Sequence, residues 1–438
     1  MSNNIRKFDS TAQYQKYRNT DGWAYPAVNV VSNGIETQTH YNNELRMRWS
    51  TTDATIVPTF SGDISLADFK TWVDNASYPC EIKKDGTDFA YIKRSTGSTV
   101  ADWTLRSDNN ASHYNTSDKA DYLQMTEIEN VNVGLFENTA EHWQEVRFNF
   151  DKGCPEGFHK WFAHPYWNAS RGKYTKLIGR YDSTPHTNTT TTADGIDVMY
   201  GGSQGAWVSD GSTYDNGIWS ANTLLAATKA TNANLLEETY WEHVVLTYIF
   251  CAYKGTFNTQ SIYAGLQKDY NLGYAGQWLN GQTDSQMRHD AGVAIANTVN
   301  TAYRFMHIEN AIHGKQWIWG AGWSGNNGKY YMTYDDIKAN ASTSLTESNA
   351  DVVGTYPTTL SGQYFGNADL WGVPTNTSGG SSSTRYCDAA WSAAGTGRVA
   401  YLGGTSYAES AVGGFARNFN LDAVFSSWAW RGRSTMNR

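Results

Sequence analysis

The sequence predicts an α+β fold in which short strands outnumber helices, and three observations predict it. Runs within 51–150, such as Phe89-Ala90-Tyr91-Ile92-Lys93 and Val146-Arg147-Phe148-Asn149-Phe150, alternate with the two-residue period of a strand. One segment, 231–253, has the length and apolar spacing of a helix. Stretches rich in Gly, Ser and Asn, at 183–216 and 375–384, read as long surface loops.

Taken in order, residues 1–50 form a small module. Phe8, Tyr14 and Tyr17 fall at helical spacing behind a capping Asp9 or Ser10. The apolar stretch Ala27–Val31, a Ser32-Asn33-Gly34 turn and a polar strand ending at His40-Tyr41-Asn42 follow. A unit this small has little core and is expected to rely on a partner or on self-association. Residues 51–152 read as a β-rich spacer. They hold a run at Ala54-Thr55-Ile56-Val57, a helix near Leu66–Asn75 and a hairpin turn at Lys84-Asp85-Gly86. Residues 153–438 make the third unit. Its helix at 231–253 is expected to be capped by Thr231 or Asn234 and ended by Gly255, and 286–300 is a weaker helix candidate. The chain of 438 residues is long enough for this division, because single cores seldom grow beyond about 250–300 residues.

Composition narrows the function. Charged residues are only 17% and the net charge is −8, without a basic run, so a nucleic-acid partner is not expected. No stretch reaches the eighteen or so apolar residues of a membrane span, and the N-terminus lacks a secretory apolar region. Aromatics reach 14%, which suits broad contact surfaces. The cysteines are widely spaced, and Cys154 and Cys251 read as buried thiols.

Three segments then carry a resemblance. Met306–Trp323 (MHIENAIHGKQWIWGAGW) resembles the GN-x-W-E-W segment of the formylglycine-generating-enzyme branch of the C-type-lectin fold, with His307 and His313 where Gly or Asn is usual. Arg398–Tyr407 (RVAYLGGTSY) is similar to the R-G-G-S-W strand of that branch, and Gly432-Arg433 to its closing G-F-R. Within the branch, Gly403-Gly404, Gly413-Gly414-Phe415, Asn418, Asn420 and Gly432-Arg433 resemble the ending of variable proteins of diversity-generating retroelements. The first fifty residues resemble N-terminal segments of tail or fibre proteins of gut Bacteroidales phages.

The resemblance implies a C-type-lectin-like C-terminal domain with a variable binding surface at 385–433, after a β-rich region and a virion-attachment module. Such retroelements mutate adenines, so AAC-like codons reach Ser, Thr, Asp, Gly, Val, Leu, Phe, Tyr, Arg and others, but not Trp, Glu, Gln, Lys or Met. Most residues of 405–430 belong to the reachable set; Glu409, Trp428 and Trp430 do not. The expected ligand-contacting residues are Tyr407, Ser410, Val412, Arg417, Phe419, Leu421, Asp422, Val424, Phe425, Ser427, Trp428 and Trp430. Rigid aromatics beside small polar residues is the composition of a paratope. Gly403, Gly404, Phe415, Gly432 and Arg433 read as scaffold, and Trp391 and Tyr401 as core.

Catalysis is not expected. Cys387 lacks the second cysteine of formylglycine-generating enzymes, and the ten histidines, His159, His164 and His243 among them, form no HxxxH or HxH pair. Each reads as a surface or hydrogen-bonding residue. Glu237, Glu238 and Glu242 read as a solvated helix face. No cofactor or metal is expected. The expected function is host adhesion from a phage virion, through a host cell-surface glycan or protein receptor. Residues 1–50 would join other virion proteins, and a homo-oligomer, a trimer first, is expected. The rivals are a structural decoration or tail-assembly protein, and an enzyme of the formylglycine-generating type.

Overall fold

A computed structural model of the chain describes residues 28–32, 35–39, 43–52, 57–95, 100–138, 140–155, 157–181, 184–189, 192–197, 221–263, 283–294 and 301–312, and shorter stretches beyond, among them 316–318, 383–386, 398–402, 413–415, 417–422 and 430–437. For several strands, those at 417–422 and 430–431 included, only the backbone course is described. Strand exceeds helix, 42% to 18% of the described residues, in several antiparallel sheets, so the class is α+β.

Two sheets dominate. The first is antiparallel, in the order His159–Lys160, Asn132–Asn138, Trp143–Asn149, Glu44–Ser50, Thr59–Gly62. Its period-2 pattern sends Leu45, Met47, Trp49, Val133, Leu135, Val146 and Phe148 into the core. The charged positions between them pair on the other face, as Arg48 Nε does with Glu145 Oε2 at 2.7 Å. The second sheet runs Leu235–Glu237, Ser434–Met436, Lys173–Gly179, Tyr122–Glu129, Ser77–Lys83, Phe89–Arg94, Ala101–Arg106, with Tyr166–Asn168 paired to Lys173–Gly179. Strands from the expected 51–152 and 153–438 regions therefore share one sheet, and one core cluster runs from Leu45 to Phe415.

Local chemistry sets the elements. The Lys84-Asp85-Gly86 turn joins Ser77–Lys83 to Phe89–Arg94 as expected. Gly86 takes φ +78° and donates to Lys83 O at 2.7 Å, and Asp85 Oδ1 accepts from Thr87 N. The helix Leu66–Asn75 starts where Ser65 Oγ accepts from Asp68 N at 3.1 Å, and it buries Phe69 and Val73, four residues apart.

The second predicted helix begins later than expected. Helix Tyr240–Lys254 is capped by Thr239: its Oγ1 accepts from Glu242 N at 3.1 Å, while Glu242 Oε2 accepts from Thr239 N at 2.8 Å. Neither Thr231 nor Asn234 caps it. Thr231 instead ends a separate helix, Ala221–Thr231, and Leu235–Glu237 is a strand paired with Ser434–Met436. Gly255 ends the long helix in the left-handed conformation (φ +72°), as expected. Residues 240–252 are all buried, so the helix is a central strut rather than an amphipathic surface helix.

Three further expectations are corrected. The stretch 286–300 contains no helix among its described residues; Ala291–Ala294 is a strand on Thr301–Phe305. Gly292 lies so close to the Tyr263 ring that a Cβ would stand 2.6 Å from it, and Gly also disfavours helix. The surface loop at 183–216 contains an antiparallel hairpin, Thr184–Thr189 with Thr192–Asp197. Cys154 is exposed as a residue, its thiol donating to Phe158 O, whereas Cys251 is buried as expected. His243, His289 and His307 are buried, and His289 Nε2 bonds Asp74 Oδ1 at 2.9 Å, within the expected hydrogen-bonding role.

Within 1–50, Val28–Ser32 and Ile35–Thr39 form an antiparallel hairpin about the expected turn. The helix at 8–17, and Ala54 to Ile56, lie outside the described residues; Val57 is exposed and outside any strand. No helix among the described residues is long and apolar enough to cross a membrane.

Candidate functional site

The C-terminal segment builds a mixed five-stranded sheet in the order Ala390–Ser392, Arg417–Asp422, Arg398–Leu402, Gln316–Ile318, Trp430–Arg431. Strand Arg417–Asp422 is interior. It runs parallel to Ala390–Ser392, with Phe419 opposite Ser392, and antiparallel to Arg398–Leu402, with Leu421 opposite Val399. A register shift between Val399 and Tyr401 bends this pairing. The backbone at 417–418 is thus paired on both sides, and Phe419, Leu421 and Asp422 on one. Strand Gln316–Ile318 pairs with Tyr401 and Leu402 on one side and with Trp430 and Arg431 on the other.

A buried pin holds the start of this strand. Asp388 is fully buried; its Oδ2 accepts from Phe415 N at 2.8 Å and its Oδ1 from Gln260 Nε2 at 2.5 Å. A Cβ at Gly413 would stand 2.2 Å from Asp388 Oδ1, so only glycine fits there. Gly414 is gripped by two threonines of the core: its N–H donates to Thr259 Oγ1 at 3.1 Å, and its carbonyl accepts from Thr247 Oγ1 at 3.2 Å. Phe415 is buried among Tyr248, Phe257 and Tyr386. Phe415 is a scaffold residue, as the sequence indicates.

The far end is fastened by Arg433. It is fully buried and donates from Nη1 to Gly179 O and from Nη2 to Glu309 O, each at 2.8 Å; its Nε lies 3.6 Å from Glu238 Oε2. Arg180 and Arg304 lie equally deep nearby. Arg180 reaches Asp284 Oδ1 at 3.0 Å with its guanidinium 3.5 Å from the Trp103 ring centre, and Arg304 donates to Thr283 O at 2.6 Å. Burial, with Arg180 as neighbour, pulls Arg304 down to about 10.

Glu237, Glu238 and Glu242 are not a solvated face; each is buried. Glu242 bonds the buried Lys176 at 2.8 Å, Glu238 faces Arg433, and Glu237 accepts from Thr228 and Ser434. Burial raises Glu237 to about 8, so it is a neutral acid near pH 7. Each is thus held by partners of its own. Among the described residues no group of three or more His, Cys, Asp or Glu is arranged to hold a metal ion.

Of the expected contact residues, Arg417, Phe419, Leu421 and Asp422 lie on the interior strand, and Trp430 lies on the strand beside Gln316. Tyr407, Ser410, Val412, Val424, Phe425, Ser427 and Trp428 lie outside the described residues, as do Gly403, Gly404 and Cys387. The pin residues Asp388, Thr247, Thr259 and Gln260 went unread as a group in the sequence. Only the double glycine before Phe415 signalled that something must approach the backbone there.

Comparison with known proteins found no matching family model, curated protein or solved structure.

Proposed function

We propose that the chain is an adhesion protein of a phage virion, with a C-type-lectin-like C-terminal domain that presents a diversified surface to a host-cell receptor, glycan or protein. One observation carries the reading furthest. The segments that resemble the lectin-like branch come together in three dimensions: 316–318 pairs with 401–402 and 430–431, and Arg433 bonds the carbonyl of Glu309. They frame 405–430, the stretch made largely of adenine-reachable residues. Gly413, Gly414 and Phe415 divide that stretch and are tied to the core, so substitutions on either side start from a fixed backbone point. A surface built this way tolerates change because the strand beneath it is hydrogen-bonded through its backbone, which carries no side-chain identity.

In this reading residues 1–50 join other virion proteins, and several copies, a trimer first, act together so that modest single-site affinity suffices. Deep sequencing of the gene in a growing phage population tests the proposal. Substitutions confined to adenines and concentrated in the codons for 405–429 are expected, with Gly413, Gly414 and Phe415 unchanged. A flat profile across the gene sinks the diversified-surface reading. Normal host adsorption by particles stripped of the protein sinks the adhesion reading and leaves a structural role.

A further inference from the structure

Away from the C-terminal sheet, a cavity of about 250 Å³ opens where the strands Ser77–Lys83 and Phe89–Arg94 meet the turn that carries Arg171. The Arg94 guanidinium lies 4.8 Å from the centre of the Tyr78 ring, and that of Arg171 lies 3.2 Å from the same ring and 4.6 Å from the Tyr91 ring. Pro79 and Ser107 complete the wall.

The lining is held rigidly. Tyr78 OH donates to Glu129 Oε1 at 3.1 Å, and Tyr91 OH donates to Glu127 Oε2. Arg94 donates to Ser77 O at 3.1 Å, and Arg171 Nε reaches Glu127 Oε2 at 3.4 Å. Glu127 also accepts from Tyr166, Asn168 and Thr175, so its two oxygens serve this interior network.

We propose that this cavity binds an acidic saccharide, a pyranose bearing a carboxylate. Two guanidiniums beside two aromatic rings offer what such a ligand needs. A planar guanidinium fork matches the two oxygens of a carboxylate, whereas an ammonium does not. The tyrosine and proline surfaces suit the apolar face of a sugar ring, and the exposed Ser107 hydroxyl suits its hydroxyls. The volume is below the usual range for drug-sized ligands, roughly 300–1,000 Å³, which favours a single ring. Charge points the same way: burial and the adjacent Arg171 both depress Arg94 from its ordinary value, and a bound anion relieves that crowding. The site lies outside 385–433, so it does not rest on the diversified-surface reading.

Calorimetric titration of the full-length chain with galacturonate tests this, with galactose and inorganic phosphate as comparators. Galacturonate is expected to bind and galactose to bind at least about tenfold more weakly. Arg94→Gln and Arg171→Lys are each expected to weaken galacturonate about tenfold or more, the second because lysine keeps the charge and loses the fork. Thermal melts check that each variant folds, and Arg94→Gln carries the test if Arg171→Lys does not. Failure of galacturonate to bind overturns the proposal, as does equal binding of galactose or indifference to Arg94→Gln. Phosphate binding as tight as galacturonate overturns the saccharide assignment.

Discussion

At position 307 a histidine occupies a backbone conformation that glycine favours. Met306 and His307, with φ of +51° and +62°, are the two central residues of the hairpin turn between Thr301–Phe305 and Ile308–Glu309. Such turns prefer Asn-Gly, and the left-handed conformation costs other residues roughly 1–2 kcal/mol. The His307 ring is fully buried beside Trp103 and His289, and among the described residues neither ring nitrogen has a hydrogen-bond partner. Burial, with His289 and Arg304 nearby, holds it well below the usual histidine value. The folded state thus refuses a proton that the unfolded chain takes up below about pH 6.5. Stability is therefore present above that pH and falls below it, by about 1.4 kcal/mol per pH unit. Chemical denaturation between pH 5 and 7.5 should show a shallower acid slope in His307→Gly; an unchanged slope counts against this account. Gly413 gives a second prediction. Gly413→Ala places a methyl group on Asp388 and is expected to cost about 1–3 kcal/mol, read as a drop in the unfolding midpoint.

The helix Tyr240–Lys254 shows how elements are specified. Its reciprocal cap is buried, and Thr239→Ala is expected to lower stability by about 1 kcal/mol or more in denaturant titration. The strand just before it carries Glu237, whose raised value works in the opposite direction from His307. Between about pH 4.5 and 8 the folded protein keeps a proton that the unfolded chain has lost, so stability falls as pH rises through that window. Glu237→Gln should flatten that alkaline-side decline, and an unaltered profile would falsify the assignment. Elements fixed by neighbouring residues were legible in the sequence: the helix at 66–75, the turn at 84–86 and the Gly255 stop all depend on contacts within a few residues. The start of the long helix was not. Leu235 and Leu236 fit helical spacing as well as a strand, and Ser434, which decides between them, stands 197 residues from Glu237. The buried carboxylates were misread for the same reason, since their partners Lys176, Arg433 and Ser434 are all remote in sequence. At the candidate site the glycines and Phe415 could be read as scaffold, but the strand at 417–422 went unread, because its short alternation is set in a wider run of Gly, Ala and Ser without clean period.

For the molecule as a whole, the sheet that joins Tyr122–Glu129 to Lys173–Gly179, and that in turn to Ser434–Met436, ties early and late parts of the chain into one packing unit. A fragment of residues 51–152 alone loses that pairing and the packing of Trp161, Trp241 and Phe250. It is expected to lack a cooperative thermal transition by circular dichroism; a sharp one would show that the spacer folds independently.

Arg433 and the strand after it add a consequence for manufacture rather than for stability. A chain cut short within 405–432 has no Arg433 to bridge Gly179 and Glu309, and no strand to sit between Leu235–Glu237 and Lys173–Gly179. Residues 433–436 therefore support strands more than a hundred positions upstream. If the codons for 405–429 are rewritten as proposed, a frameshifted product loses both contacts at once and is expected to be left unfolded, open to proteases.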